Sequence, residues 1–467
     1  MSSRVRRRHF AALSGAAALA LVLAACGDDN GDGDDAGTDT DEGEEETDED
    51  GEAADDECAA YEDYGDLSGT QVTVFTSIVA PEDEAHIVSY EPFEECTGAD
   101  VVYEGTGEFE AQLLVRIQAG TPPDIAYMPQ PGLLRTIVND TGAALPVSEL
   151  AEANTEEYYS EDWKNFGVVD GTFYGSPVGA NVKSFVWYSP SAFADAGYEI
   201  PETWDEMIEL SDQIVADGGT PWCAGIESGA ATGWPTTDWM EDVMLREHGP
   251  EVYDQWTNHE IPFNDPQVAD VLERVGTVLK NPDYVNGGYG DVQSIASTAF
   301  QDGGLPILDG DCWMHRQASF YQANWPDGTT VAEDGDVFAF YLPPIDPEAG
   351  KPLLIAGEFA LAFSDRPEVQ AFQAFLASPE WSNAKAEVSG PGWISSNSEL
   401  DPSLLESPID QLSVELLTDP ETVARFDASD IMPGEVGAGT FWREMTEWIA
   451  SDKDDQAVLD AIEESWP

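Results

Sequence analysis

Residues 70–130, TQVTVFTSIVAPEDEAHIVSYEPFEECTGADVVYEGTGEFEAQLLVRIQAGTPPDIAYMPQ, alternate short β-rich runs with helix-forming segments. The apolar and β-branched runs at 72–75, 101–103 and 124–127 are typical of buried strands. Between the second and third runs, residues 108–119 carry apolar side chains at helical spacing until two prolines end the segment. Because strands and helices alternate along the chain, this stretch predicts an α/β fold.

The same alternation continues to the end of the chain. Asp265 followed by Pro266 is typical of a helix start, and apolar residues then recur at helical spacing up to Leu279. The other predicted elements are strands at 337–340 and 359–362, and helices around 369–376, at 441–450 and at 457–464.

The first 26 residues indicate export from the cytoplasm. Arginines up to Arg8 precede an apolar run at 10–25, which is short for a membrane span and typical of a signal peptide over residues 1–25. The run ends in LAAC, which resembles a bacterial lipobox and implies cleavage before Cys26 and a lipid on its thiol. The alternative is an ordinary signal peptide with an incidental cysteine. The two adjacent arginines leave the twin-arginine and the general export routes both open.

The segment after Cys26 is strongly acidic. Between Gly27 and Glu57 there are 18 acidic residues and no basic or aromatic ones. Such a composition cannot bury enough apolar surface to fold, so residues 26–60 are predicted to be a lipidated cysteine and a disordered tether. The whole chain has a formal net charge of −75, which excludes nucleic acid as a partner and leaves the lipid anchor as the one expected contact with the membrane.

Four cysteines remain once Cys26 is assigned to the lipid: Cys58, Cys96, Cys223 and Cys312. An even number of cysteines in an exported protein indicates two disulfides, for which three pairings are possible. The chain has no Cys-x-x-Cys pair and its histidines are scattered, so a zinc site is not expected. We expect neither a metal nor a cofactor.

Short motifs along the chain carry a resemblance to a known family. In order they are GTFYGSP at 171–177, VWYS at 186–189, PETWDE at 201–206, AFQDG at 299–303 and GDCW at 310–313. In this order and spacing they resemble the family 1 extracellular solute-binding proteins of bacterial ATP-driven (ABC) importers. The tail, with FDASDIMPG at 426–434, GAGTFW at 437–442 and SWP at 465–467, is similar to the alpha-glucoside-binding members.

The resemblance implies a periplasmic-binding-protein-like fold of two α/β lobes, joined by a hinge that the chain crosses several times, with the ligand cleft between them. Residues 61–178 and 354–390 would form the first lobe, and residues 179–353 and 391–467 the second. The chain would cross between the lobes near residues 177–181, 353–357 and 390–395. With this layout we favour disulfides from Cys58 to Cys96 and from Cys223 to Cys312, because each then lies within one lobe.

The implied function is capture of a sugar by closure of the two lobes and its delivery to membrane permease subunits. The protein would be a monomer without enzymatic activity, held on the outer face of the cell membrane or in the periplasm. The alternatives are a receptor of the same fold for a polyamine or a metal, and an exported glycoside hydrolase, which would need two suitably spaced carboxylates.

A sugar site needs aromatic rings for the C–H face of a pyranose and carboxylates or amides for its hydroxyls. The resemblance and the local composition together indicate the candidates. The aromatic candidates are Trp234, Trp239, Trp313, Phe441 and Trp442. The acid Asp238 is a further candidate, because it lies in the same predicted Gly- and Pro-rich loop as Trp234 and Trp239. The remaining ones, near the predicted crossings or in the first lobe, are Asn181, Gly357, Glu358, Glu110 and Gln130.

Overall fold

The structure, a computed structural model, describes residues 58–467. The predicted signal peptide, Cys26 and the tether up to residue 57 lie outside the described residues. Within residues 58–467, no helix is both long enough and apolar enough to cross a bilayer. The strands are β1 (Gln71–Thr76), β2 (Asp100–Gly105), β3 (Ile125–Met128), β4 (Val168–Val169), β5 (Thr172–Phe173), β6 (Gly175–Pro177), β7 (Asn181–Val182), β8 (Phe185–Tyr188), β9 (Met314–Arg316), β10 (Phe338–Tyr341), β11 (Lys351–Ala356), β12 (Phe359–Ala362) and β13 (Thr422–Phe426).

Helices connect and cover these strands, and short 3-10 or π turns lie at Ala59–Tyr64, Gly229–Ala231, Val292–Ser297, Ser319–Asn324, Pro347–Ala349, Pro402–Leu404 and Val436–Phe441. The α-helices are α1 (Asp83–Val88), α2 (Glu91–Thr97), α3 (Phe109–Gln118), α4 (Pro131–Thr141), α5 (Glu149–Tyr158), α6 (Glu161–Phe166), α7 (Pro190–Ala196), α8 (Trp204–Ala216), α9 (Trp234–Thr257), α10 (Pro266–Leu279), α11 (Pro306–Asp309), α12 (Pro367–Leu376), α13 (Pro379–Ser389), α14 (Pro408–Thr418), α15 (Ala428–Ile431), α16 (Trp442–Ala450) and α17 (Asp455–Glu463).

The opening stretch of the sequence forms the centre of a five-stranded sheet with the order β2-β1-β3-β12-β6. β1 pairs in parallel with β2 and β3, and β12 pairs antiparallel with β3 and β6. On one face, Val72 and Val74 belong to an apolar core that also contains Phe372 and Phe375 of α12. We call this sheet and the helices packed on it the first lobe.

Two three-stranded sheets form the second lobe, with the orders β10-β8-β9 and β13-β11-β7. Helix α10 packs on α9 through the apolar stripe that its sequence predicts, and Val268, Val271 and Leu272 are fully buried. Asp265 caps α10, because its carboxylate accepts the backbone N–H of Gln267 at 3.0 Å. The predicted α/β architecture therefore agrees with the structure in both lobes.

The chain passes from the first-lobe sheet to the second lobe between Pro177 and Asn181, and it returns between Ala356 and Phe359. Both places lie at the predicted crossings. β11 continues without a break to Ala356, so residues 354–356 pair with second-lobe strands rather than with the first lobe to which we assigned them. The other lobe boundaries stay predictions.

The four cysteines among residues 58–467 form two disulfides, with the pairing favoured from the sequence. Cys58 is bonded to Cys96 beside the first-lobe sheet, and Cys223 is bonded to Cys312 in the second lobe, over a sequence separation of 89 residues. Each bond therefore fastens segments of a single lobe.

Candidate functional site

A cavity of about 310 Å³ lies where loops from both lobes meet. Its volume falls at the lower end of the range that is usual for small-molecule sites. The first lobe contributes residues 77–86, 107–110 and 129–130, and the second contributes the opposite wall around 181–183 and 227–234. A ligand here would contact both lobes at once.

Seven of the residues predicted from the sequence line this cavity. They come from segments that are far apart in the chain, and only the fold brings them together: Glu110, Gln130, Asn181, Trp234, Gly357, Glu358 and Trp442. The predicted crossings at 177–181 and 353–357 thus adjoin the cavity, as expected for a site between lobes.

Trp234, Phe300, Phe320 and Trp442 line the cavity from the second lobe, and we call these rings the aromatic wall. The Trp234 ring is half-buried and lies edge-on to Phe300, with centroids 5.2 Å apart, and tilted toward Phe320 at 6.0 Å. The Nζ atom of Lys183 lies 4.9 Å from the centroid of the Trp234 ring, which is cation–π distance. The prediction that Trp234 lies in a loop is wrong, because Gly233 takes the N-cap position with φ 113° and Trp234 begins α9.

Trp442 is the second predicted ring in the wall. It belongs to the buried stripe of α16 that includes Met445 and Trp448, yet it also lines the cavity. Its indole N–H donates to Ser429 Oγ at 3.1 Å, which fixes the orientation of the ring. Trp442 is therefore both a core residue and part of the cavity lining, and its contact with a ligand stays a prediction.

Carboxylates line the cavity on both sides. Gln130 donates through Nε2 to Glu110 Oε1 at 3.0 Å, and Asn181 donates through Nδ2 to Glu358 Oε1 at 3.4 Å. Burial raises the pKa of both Glu110 and Glu358. Across from Glu110, burial and the charge of Asp427 raise the pKa of Asp430 well above its ordinary value. The cavity therefore offers hydrogen-bonding oxygens with little water around them.

Beneath the aromatic wall lies a fully buried network of ion pairs. Lys183 binds Asp238 at 3.0 Å and also Asp427, while Arg316 binds Asp238 at 2.9 Å and also Asp242. The prediction that Asp238 contacts a ligand is therefore wrong, since both of its oxygens are used by cations below the cavity surface. Asp238 instead fixes Lys183 under Trp234.

Three other predicted aromatic residues do not line the cavity. Trp239 is in the core, edge-on to Trp222 with centroids 5.3 Å apart. Trp313 packs on Tyr198 at 4.9 Å, and Phe441 packs on Phe263 at 4.9 Å. Their placement in the cleft was wrong, because each ring is taken up by packing within the second lobe.

Several cavity residues escaped the sequence analysis: Glu82, His86, Phe300, Lys385 and Trp393. Phe300 lies within the family motif at 299–303, and Trp393 follows Gly390-Pro391-Gly392 at the predicted third crossing. An aromatic residue in such a Gly- and Pro-rich crossing was a usable signal. Lys385 and His86 gave no local signal.

One cluster among the described residues has the spacing of metal ligands: the carboxylate oxygens of Asp238, Glu241 and Asp427 lie within 4.8 Å of one another. The Lys183 ammonium already binds two of these acids, and Glu241 accepts the backbone N–H groups of Ala428 and Ser429 at 3.0 and 3.1 Å. The cluster thus has its charge compensation from within the protein.

The sequence matches the family model described as "Bacterial extracellular solute-binding protein" over residues 70–383. The chain belongs to this family. The membership inferred from the motifs is confirmed, and this solute-binding protein has the two-lobe α/β fold expected of it. The fold likeness extends to the bacterial solute receptor AcbH, with a TM-score of 0.72 at 18% identity over 85% of this chain and 98% of that one.

Two relatives match nearly the whole of this solute-binding protein. The "Osmoprotective compounds-binding protein GgtB" of Synechocystis sp. is 41% identical over 406 residues, which is 86% of this chain and 94% of the relative. The "Alpha-glucosides-binding periplasmic protein AglE" of Rhizobium meliloti is 37% identical over 413 residues, 86% of this chain and 88% of the relative. Both relatives are named as binding proteins.

Proposed function

We propose that this solute-binding protein captures a small neutral sugar, an alpha-glucoside or a related disaccharide, by closure of its two lobes. The observation that carries the proposal is that Trp234, Trp442 and the carboxyl groups of Glu110 and Glu358 line one cavity. Rings offer an apolar face to the C–H side of a pyranose, and carboxylates accept its hydroxyls. The relative named for alpha-glucosides supports the choice of ligand.

The places where the chain changes sheet support a hinge. Backbone at 177–181, 356–359 and 390–395 would bend while each lobe stays rigid, and the ligand would be trapped between them. Gly357 has a specific part in this, because a Cβ atom at this position would lie 2.3 Å from the carbonyl oxygen of Gly179. The two crossing segments can pass this closely only if residue 357 has no side chain.

The proposed partners follow from the family. The closed receptor would dock as a monomer on the permease subunits of an ABC importer and release the sugar to them. A lipid on Cys26 and the acidic tether would hold it on the outer face of the cell membrane, or in the periplasm, and raise its concentration near the permease.

The experiment is a thermal-shift screen followed by calorimetry with maltose, trehalose, sucrose and glucose. A ligand present at a hundred times its Kd stabilises the folded form by about 2.7 kcal/mol, so a bound disaccharide should raise the melting temperature visibly. Stabilisation by spermidine or a divalent cation, with no response to any sugar, would favour the polyamine or metal receptor instead. Release of free glucose from maltose on long incubation would favour the hydrolase.

A further inference from the structure

The cavity contains a second tryptophan–lysine pair, Trp393 with Lys385, which resembles the pair of Trp234 and Lys183. Lys385 Nζ lies 5.4 Å from the centroid of the Trp393 ring, and both residues line the cavity together with Glu82 as one set of side chains. Glu358 lines the same cavity, where Asn181 donates to its Oε1 at 3.4 Å, and both Lys183 and Lys385 lower the pKa of its carboxyl group against the effect of burial. The cavity thus has two tryptophan–lysine pairs, Trp234 with Lys183 and Trp393 with Lys385, together with Glu358.

Lys385 is buried and has unused hydrogen-bond capacity. Its side chain is only 2% exposed, and its Nζ donates to Ser389 Oγ at 2.8 Å. Among residues 58–467, no carboxylate forms an ion pair with it within 4.0 Å. Burial lowers the pKa of Lys385 to about 7, although Glu82 and Glu358 act in the opposite direction. In either protonation state Nζ has at least one further N–H group, which remains for an oxygen atom that enters the cavity.

Within residues 58–467, two further polar atoms around this set have no hydrogen-bond partner. They are Nε1 of Trp393 and Nδ1 of His86; both atoms are buried, and both residues line the cavity. A buried polar atom without a partner costs free energy that a bound hydroxyl would recover. These atoms point to a ligand independently of the charge on Lys385.

The loop that carries Trp393 is held in place by the second lobe. Gly392, with φ 113°, donates its backbone N–H to Asp410 Oδ2 at 3.2 Å, and Gln322 donates to the other oxygen of Asp410 at 2.6 Å. The Trp393 ring lies edge-on to Trp381 of the first lobe, with centroids 5.6 Å apart. The ring is therefore positioned by contacts outside the cavity and leaves one part free to meet a ligand.

This set carries little charge near pH 7, because burial raises the pKa of Glu82 to about 8 and lowers the pKa of Lys385 to about 7. It therefore offers no full counter-charge to a phosphate, a carboxylate or an amine, which favours a neutral group. A hydroxyl can accept from Lys385 and donate to the carboxyl group of Glu82 or Glu358, so neighbouring hydroxyls of one ring satisfy all three. The Trp393 ring can take the apolar face of the same sugar.

We infer that Glu82, Lys385, Trp393 and Glu358 form a second sugar subsite, which holds the second ring of a neutral two-ring sugar whose first ring lies at Trp234. This inference rests on the proposed function and adds the residues that recognise the far ring of the ligand. One ring would fill only one of the two subsites.

The test compares Glu82→Gln and Trp393→Ala with Trp234→Ala by calorimetry, using glucose and the tightest-binding disaccharide of the screen. Loss of a buried hydrogen bond or of a ring contact should weaken the disaccharide about fivefold or more in all three variants. Glucose should be weakened only at the subsite that it occupies, so either Trp234→Ala or the other two should leave it unchanged. Glu84→Gln, an exposed neighbour on α1 outside the cavity, is the matched control and should change neither affinity.

The outcomes separate the two claims. A parent protein that binds no sugar overturns the proposed function and the subsite with it. A parent that binds disaccharide, but whose affinity survives both Glu82→Gln and Trp393→Ala, overturns the subsite alone. Equal losses for glucose and disaccharide in every variant would mean that one ring touches all these residues, which also overturns it. Glu82→Gln replaces a partly buried side chain by one of the same shape, so it keeps the test valid if Trp393→Ala lowers the melting temperature of the unliganded protein.

Discussion

Replacing Trp234 by alanine tests whether the aromatic wall recognises ligand or only completes the core. The ring has two kinds of contact: Phe300 and Phe320 on one side, and Lys183 below it at 4.9 Å. Losing aromatic pairs and a cation–π contact costs roughly 1 to 3 kcal/mol of folding stability. Losing a desolvated ring–sugar contact costs roughly 1 to 3 kcal/mol of binding as well, or about 5- to 150-fold in affinity.

Trp313→Ala is the matched control for this variant. Trp313 is also half-buried and also packs on two rings, those of Tyr198 at 4.9 Å and Phe193 at 6.0 Å, but it lies outside the cavity. Both variants should therefore melt at a lower temperature than the parent. Only Trp234→Ala should bind disaccharide more weakly.

The assay pairs scanning calorimetry of the unliganded proteins with titration calorimetry of the sugar, at one temperature and buffer. The reasoning fails if Trp234→Ala keeps the parent's affinity within twofold while its melting temperature falls. It also fails if Trp313→Ala loses as much affinity as Trp234→Ala, because binding would then follow general loosening of the second lobe.

Three other changes have defined outcomes. Cys26→Ser should move the protein from the membrane fraction to the soluble fraction with unchanged sugar affinity; persistent membrane association would point to another anchor. Replacing both Cys223 and Cys312 by serine should lower the free energy of unfolding by about 4 to 5 kcal/mol in the chain-entropy model, measured by denaturant titration, and an unchanged midpoint would contradict it. Burial raises the pKa of Asp410 to about 7. The folded state therefore holds an extra proton, and its stability falls as pH rises from about 4 to about 7, by about 1.4 kcal/mol per pH unit. Asp410→Asn should remove that slope relative to the parent, and parallel curves would refute the assignment.

The elements of the fold were predictable where their pattern is local. The apolar stripe of α10 and its Asp265 cap lie within 15 residues, so the sequence alone carries the signal. The start of α9 was missed because Gly233 and Pro235 are typical of loops. Pro235 is tolerated there since the first turn of a helix needs no N–H donor at that position.

The candidate site was predictable only in part. The sequence around a residue does not fix the direction of its side chain or its distance from residues elsewhere in the chain. Trp239 follows Trp234 by five residues on α9, a rotation of about 500°, so the two rings face different sides of the helix. Trp313 belongs to a family motif, but nothing in that motif says which way its ring turns. The carboxyl group of Glu82 raises the pKa of Lys385, but the two residues are far apart in the sequence.

The buried ion pairs under the cavity also constrain how this protein can diverge. Lys183, Asp238 and Arg316 are each shared between two partners, so removing one leaves an unpaired charge, which costs about 3 to 5 kcal/mol. A single substitution with this loss of stability would rarely persist long enough for a second substitution to compensate for it. Glu110 and Gln130 on the opposite wall bond to each other and can be exchanged with less loss. New ligand preferences among descendants of this protein should therefore arise from substitutions in the first lobe, while the ion pairs of the second lobe stay unchanged.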